Sequence, residues 1–335
     1  MGRSILKAVL VTSWVTLMVG IAVSAGRWEV KTLPKTNQAN GQDPDQIQFI
    51  DDKTGWIEGW FPGILKTTDG GSHWTRLDSN LRNEWISWFW FADRNRGWAV
   101  AVSYDDPRRP RQDIVFTKDG GRSWEIQRSI YEDAYYHVRV WFLDDLHGWV
   151  VGRREVEGLV LATSDGGEHW EVRYQDQADL FGSEIRAVRF TSPQSGWVLS
   201  SDAIGHTTDG GRTWSIQYKG DGLLDQLEVV SPNEAWALGS RDLLHTQNGG
   251  ATWETTPGPG GEDTYLAAMK FANRSHGWMS GVVRGGKGIL FSTVDAGKTW
   301  QQEDTRVDGV LRGIATTSSH VFVLADPLQI LITRR

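Results

Sequence analysis

The chain is 335 residues long and carries 35 Lys+Arg against 42 Asp+Glu, a formal net charge of -7, which argues against nucleic acid as a partner. With 39% apolar and 23% charged residues it can bury a core, so neither wholesale disorder nor a polytopic membrane protein fits. It contains no Cys, which removes disulfides, thiolate metal sites, cysteine nucleophiles and a lipid-bearing Cys; 19 Trp and 38 Gly stand out instead.

Residues 1–25 read as a signal peptide. Arg3 and Lys7 precede an uncharged apolar run from Ala8 to Val23, and the small residues Ser24 and Ala25 stand before Gly26. The run is shorter than the roughly 20 residues that cross a bilayer, although an uncleaved anchor stays open as an alternative. Either way the rest of the chain is expected to be exported, to a periplasmic, lumenal or extracellular location.

Residues 26–335 divide into repeats. Thr-x-Asp-x-Gly-x-x-Trp, an Asp box, occurs at Thr67-Asp69-Gly71-Trp74, Thr117-Asp119-Gly121-Trp124, Thr163-Asp165-Gly167-Trp170, Thr207-Asp209-Gly211-Trp214 and Thr293-Asp295-Gly297-Trp300. A sixth copy, Thr246-Asn248-Gly250-Trp253, has Asn for Asp. Upstream of each lies Gly-Trp (Gly55, Gly97, Gly148, Gly196, Gly277), replaced by Ala235-Trp236 in the fifth unit. Successive box acids or amides are 50, 46, 44, 39 and 47 residues apart, the length of a four-stranded propeller blade. In the fourth unit the strands are predicted at Ile185 to Phe190, Trp197 to Ser200, Ala203 to Thr207 and Thr213 to Tyr218. The box Gly residues supply the positive φ of a tight turn, the acid accepts backbone N–H groups across it, and the Trp buries its ring between blades. All these are structural roles.

The C-terminal unit supplies only three strands, Leu311 to Thr316, Val321 to Asp326 and Gln329 to Thr333. Trp28-Glu29-Val30 matches Trp170-Glu171-Val172, so residues 26–33 are expected to be the missing outer strand. The fold predicted is all-β, a single seven-bladed β-propeller closed by pairing this segment with the last blade, which leaves no open edge in the ring.

Two candidate surfaces follow. Unit length varies mainly between the second and third strands, and the longest insertions carry Arg108, Arg109 and Arg111, then Arg153 and Arg154, then Arg284 and Lys287, on the face opposite the boxes. Asp105, Asp106, Glu155 and Glu157 are interleaved with them. In the inner strands Phe49, Phe91, Phe142, Phe190, Val229 and Phe271 form a core row by period-2 alternation. The alternate row, including Trp88, Trp90, Arg139, Trp141, Arg189 and Lys270, faces the central channel, where charge and stacking suit an anionic or peptide ligand, the alternative being that Arg and Trp simply pair across blades. Six of the eight His recur at equivalent repeat positions, His73 with His169, His147 with His276 and His206 with His245, which favours packing or surface roles over metal ligation. No Gly-x-Ser-x-Gly, His-Glu-x-x-His, phosphate loop or dinucleotide fingerprint is present, so no catalytic residue, metal or cofactor is expected.

The apolar leader, the boxes and the Gly-Trp second strands together resemble the photosystem II stability and assembly factor family of Asp-box (BNR-like) propellers, with its relatives in non-photosynthetic bacteria. The resemblance implies a non-enzymatic, exported binding platform that assists assembly or repair of a membrane protein complex, at the membrane periphery and as a monomer. The missing lipid-attachment Cys departs from lipidated members. The alternative is a secreted glycan-binding or glycoside-hydrolase propeller with sugar stacked on Trp85, Trp88 or Trp90, although the sialidase Arg-Ile-Pro signature is absent.

Overall fold

The computed structural model describes residues 28–34, 44–58, 63–78, 80–81, 84–103, 111–130, 136–154, 157–175, 180–181 and 184–335. The expected signal peptide lies outside them. The described residues contain strands and no helix, arranged as seven four-stranded antiparallel sheets. Blade 1 is Ile47–Phe49, Gly55–Glu58, Ile64–Thr67 and Thr75–Leu77 from channel to rim. Blades 2 to 6 start with inner strands Glu84–Phe91, Tyr136–Phe142, Ile185–Phe190, Leu224–Ser231 and Thr264–Phe271.

Blade 7 is composite, as the sequence predicts. Leu311–Thr316, His320–Ala325 and Gln329–Arg334 are completed on the outside by Glu29–Thr32. Glu29 pairs with Ile332 and Thr32 with Gln329, and the Leu33 N–H donates to the Leu328 carbonyl at 2.7 Å. Trp28 is buried among Trp278, Leu311 and Leu331. Arg312 adds an ionic tie, reaching Asp326 of its own blade at 2.8 Å and Asp45 at the entrance to blade 1 at 2.9 Å.

The core consists of seven apolar clusters, one between each pair of neighbouring blades. Five of them are built on an aromatic stack, while the seams from blade 4 to 5 and from blade 6 to 7 pack Trp197 and Trp278 mainly among aliphatic side chains. The Gly-Trp indole of one blade stacks on the inner-strand Phe of the next: Trp56 on Phe91 at 3.8 Å, Trp98 on Phe142 at 3.7 Å and Trp149 on Phe190 at 3.7 Å. Phe322 takes the Trp role at closure, stacking on Phe49 at 3.6 Å. The box Trp of the second blade meets the same Phe edge-on, as in Phe49–Trp74, Phe142–Trp170 and Phe190–Trp214. The edge-on contact is a favoured geometry for aromatic quadrupoles, whereas the closely superposed stacks are held by apolar burial and dispersion. The indole N–H donates to the neighbouring box, Trp56 to the Gly120 carbonyl at 3.1 Å and Trp98 to that of Gly166 at 2.9 Å.

This packing explains why Gly precedes the Trp. A Cβ on Gly97 or Gly148 would stand 2.4 Å from the ring of Phe91 or Phe142, its direct partner across the hairpin. Where the partner is Val229 instead, Ala235 is accommodated. The box tryptophans depart slightly from expectation. Each sits immediately before its outer strand, and Trp214, Trp253 and Trp300 are only half-buried while Trp74, Trp124 and Trp170 are buried.

Candidate functional site

The six boxes are staples at one face of the ring. In the third, the Thr163 hydroxyl donates to Asp165 at 2.8 Å and accepts the Gly167 N–H at 2.9 Å, while Asp165 accepts the His169 N–H at 2.9 Å. Those bonds, the His169 N–H first, hold the Asp165 carboxyl down at about 2. Asn248 reproduces the geometry without charge, accepting from Thr246 and from the Thr252 N–H at 3.0 Å each. The box histidines occupy the place taken by Ser123, Thr213 or Thr299 elsewhere: His73 and His169 bond the acid through Nδ1, where the others use a hydroxyl. Asp165, Glu168 and His169 bring ligand atoms within 4.8 Å of one another, but the Asp165 oxygens are already engaged in the turn. His206 and His245 pack on Trp197 and Trp236.

Among the rim cations, Arg108, Arg109 and the side chain of Arg154 lie outside the described residues. Arg111, at the start of the third strand of blade 2, is held by the buried carboxylates of Glu84 and Asp113. Arg153 lies near the end of the second strand of blade 3, opposite Gly158. Arg284 and Lys287 are exposed and have Asp263 at 3.9 Å and Asp308 at 3.3 Å. Arg111 and Arg153 therefore come from adjacent blades, whereas Arg284 and Lys287 sit on blade 6, separated from blade 2 by blades 7 and 1. Among the described rim cations, Arg111, Arg284 and Lys287 thus each have an acidic neighbour.

The channel wall is asymmetric. At the seam from blade 1 to blade 2, Gln46 and Gln48 each bond both backbone groups of Phe89 and Phe91, at 2.6 to 2.9 Å. At the seam from blade 5 to blade 6, Gln226 accepts the Met269 N–H, and Glu228 accepts that of Phe271 while pairing with Lys270 at 2.9 Å. Blades 2, 3 and 4 lie between these sealed seams and present Trp88, Trp90, Arg139, Trp141 and Arg189. The Arg139 guanidinium lies 4.6 Å from the centre of the Trp88 ring, and Arg189 donates to the Val188 carbonyl at 2.8 Å. Enclosure by the wall pulls both guanidinium groups below their ordinary pKa. A cavity of about 350 Å³ opens beside Trp141, Arg189, Thr191, Glu228, Ser231 and Lys270, at the box end of the channel.

Sequence reasoning misses Glu58, at the end of the second strand of blade 1. Burial, reinforced by the charge of Asp45, pushes its carboxyl up to about 8, although the backbone N–H groups of Asp45 and Gln46 donate to it. No local motif marks it.

Residues 122–219 match the family model described as photosynthesis system II assembly factor YCF48. The chain is 29% identical over 188 residues to a photosystem II assembly lipoprotein Ycf48 from Synechococcus sp. (strain CC9902), covering 56% of this chain and 42% of that one. It is 31% identical over 124 residues to the chloroplastic photosystem II stability/assembly factor HCF136 of Oryza sativa subsp. japonica, covering 34% and 29%. The chain thus spans less than half the length of these curated relatives. Among solved structures, YCF48 bound to a D1 peptide superposes with a TM-score of 0.69 at 20% identity, over 93% of this chain and 96% of that one. A streptogramin B lyase superposes at 0.65 with 10% identity, over 92% and 98%; at such identities the likeness is one of fold. The family match, the named relatives and the seven-bladed architecture together support a propeller of the photosystem II assembly factor-like family.

Proposed function

We propose that the protein is an exported, non-enzymatic platform that binds a segment of a membrane protein complex and assists the assembly or stability of that complex. The observation that carries this reading is the placement of the family match. Residues 122–219 cover blades 3 and 4 together with the outer strand of blade 2, and so include Arg139, Trp141, Arg153, Arg154 and Arg189 among the candidate partner contacts. The relatives matched are named as assembly factors, and one YCF48 structure holds a D1 peptide. A peptide segment is accordingly the class of partner proposed here, with the protein acting as a monomer at the membrane periphery. The glycan alternative is disfavoured by Trp88, whose face is already covered by Arg139.

The test is affinity capture from detergent-solubilised membranes of the host, with crosslinking, at low and at raised salt. An assembly platform enriches subunits of one membrane complex, and salt weakens the capture because exposed charges are screened beyond about 10 Å at 0.1 M. Release of product from model glycosides, with no membrane subunit enriched, would overturn the reading.

A further inference from the structure

Buried or enclosed charges in proteins are normally paired, since removing an ion from water without a partner costs several kcal/mol. Arg139 and Arg189 break that rule. Among the described residues neither guanidinium has a carboxylate within ion-pairing distance. The acids nearby are committed elsewhere: Glu184 lies 3.3 Å and Asp225 3.6 Å from Arg186, and Glu228 is held by Lys270 and the Phe271 N–H. What each arginine does have is an aromatic face or a single carbonyl. Burial lowers the Arg189 pKa and the charge on Arg139 adds to that lowering, against the opposing charge of Glu228.

The surroundings define what would fit. Trp141 and Arg189 line the same cavity. Trp141 is held at 5.8 Å from Trp149 and 6.5 Å from Phe190, and Trp90 at 6.2 Å from Trp98 and 6.0 Å from Phe142. The indoles are thus backed by the inter-blade sandwiches and cannot fold away. Arginine's planar fork matches a carboxylate in bidentate fashion, and fixed aromatic faces favour a flat apolar body.

We propose that the channel wall of blades 2 to 4 is a binding site for a small organic anion, its carboxylate held by Arg189 with the charge of Arg139 adding to the attraction, and its planar body against Trp141. This ligand is distinct from the protein segment proposed above, and it occupies the channel with no part of the rim required.

The test is calorimetric titration of the purified protein with indole-3-acetate, using indole and acetate as probes that lack the charge or the ring. Saturable binding of indole-3-acetate, at least roughly tenfold tighter than either control, supports the site. Arg189→Gln and Arg139→Gln should each weaken it by roughly tenfold or more, while Lys298→Gln on an exposed box should not. Thermal midpoints keep the variants interpretable. Removing an unpaired guanidinium should leave the unliganded midpoint unchanged or raised, and indole-3-acetate should raise the wild-type midpoint but not theirs. The proposal is overturned by no saturable heat up to about 10 mM, by indole or acetate binding as tightly, or by both arginine variants retaining the affinity. No membrane protein enters this titration, so its failure leaves the assembly reading standing, and a failed capture leaves this site standing.

Discussion

Gly148 and Phe142 give a direct test of the inter-blade sandwich. The Phe142 ring is fully buried, stacked 3.7 Å from Trp98 on one side and met edge-on by Trp170 at 5.8 Å. A methyl at position 148 would lie 2.4 Å from two of its ring carbons, more than 1 Å inside the optimum carbon–carbon separation of about 3.5–4.0 Å. Gly148→Ala alone should therefore cost about 2 kcal/mol, within the usual overpacking range and net of a small gain from removing a strand glycine. Phe142→Val alone leaves Trp98 and Trp170 facing a void and should cost about 2–3 kcal/mol. Blade 5 already carries the compensated pair, Val229 opposite Ala235. The double variant should consequently cost about 2–3 kcal/mol rather than the sum, a coupling of at least about 1 kcal/mol. The assay is urea unfolding of the four proteins, with the midpoint shift read at constant slope. Additivity within about 0.5 kcal/mol would refute the claim that the glycine is there to admit the ring.

Ala296 stands at φ 62 where the other five boxes have Gly at this position, so Ala296→Gly should stabilise by about 0.5–1 kcal/mol; an unchanged unfolding midpoint would show the turn to be unstrained. Glu58 has a folded pKa raised to about 8 against an unfolded value of about 4.3. Its carboxyl therefore opposes folding progressively as pH rises from about 4 to 8. Glu58→Gln should be near neutral at pH 4 and stabilising by about 1–3 kcal/mol at pH 9, which paired denaturant curves at the two pH values would check. Deleting residues 28–33 removes the Glu29–Thr32 pairing and the buried Trp28, exposing the edge of Gln329–Arg334. Thermal unfolding of that truncation at the full-length midpoint would contradict closure through this strand.

The sequence displays what the fold repeats and hides what it does once. Box, Gly-Trp and Phe row each recur several times, so their spacing exposes both the blade length and the composite last blade. The same regularity made the Ala235 exception visible, although its cause, Val229 in place of Phe, needed the register. Single-copy contacts leave no such trace. Arg111 meets Glu84 across 27 residues and Arg312 meets Asp45 across 267, so loop composition alone overstated how much rim charge is free. Glu58 becomes an unusual acid only when the blade buries it and brings the charge of Asp45 near.

A mixed basic and aromatic row is legible in the inner strands, but the division of the channel wall into sealed and open seams depends on which side chain faces which backbone edge. Gln46 and Gln48 can satisfy both the N–H and the carbonyl of the next inner strand, since an amide carries both donor and acceptor. Trp88, Trp90 and Trp141 carry only an indole N–H and cannot. Arg139 and Arg189 carry only donors, so they cap no N–H, and with the neighbouring acids engaged their charge is left directed at the lumen. A wall satisfied by amides on one side and left with donors and aromatic faces on the other is polar in one direction only. That polarity, more than the summed charge of the rim, is the feature on which the proposed anion site rests.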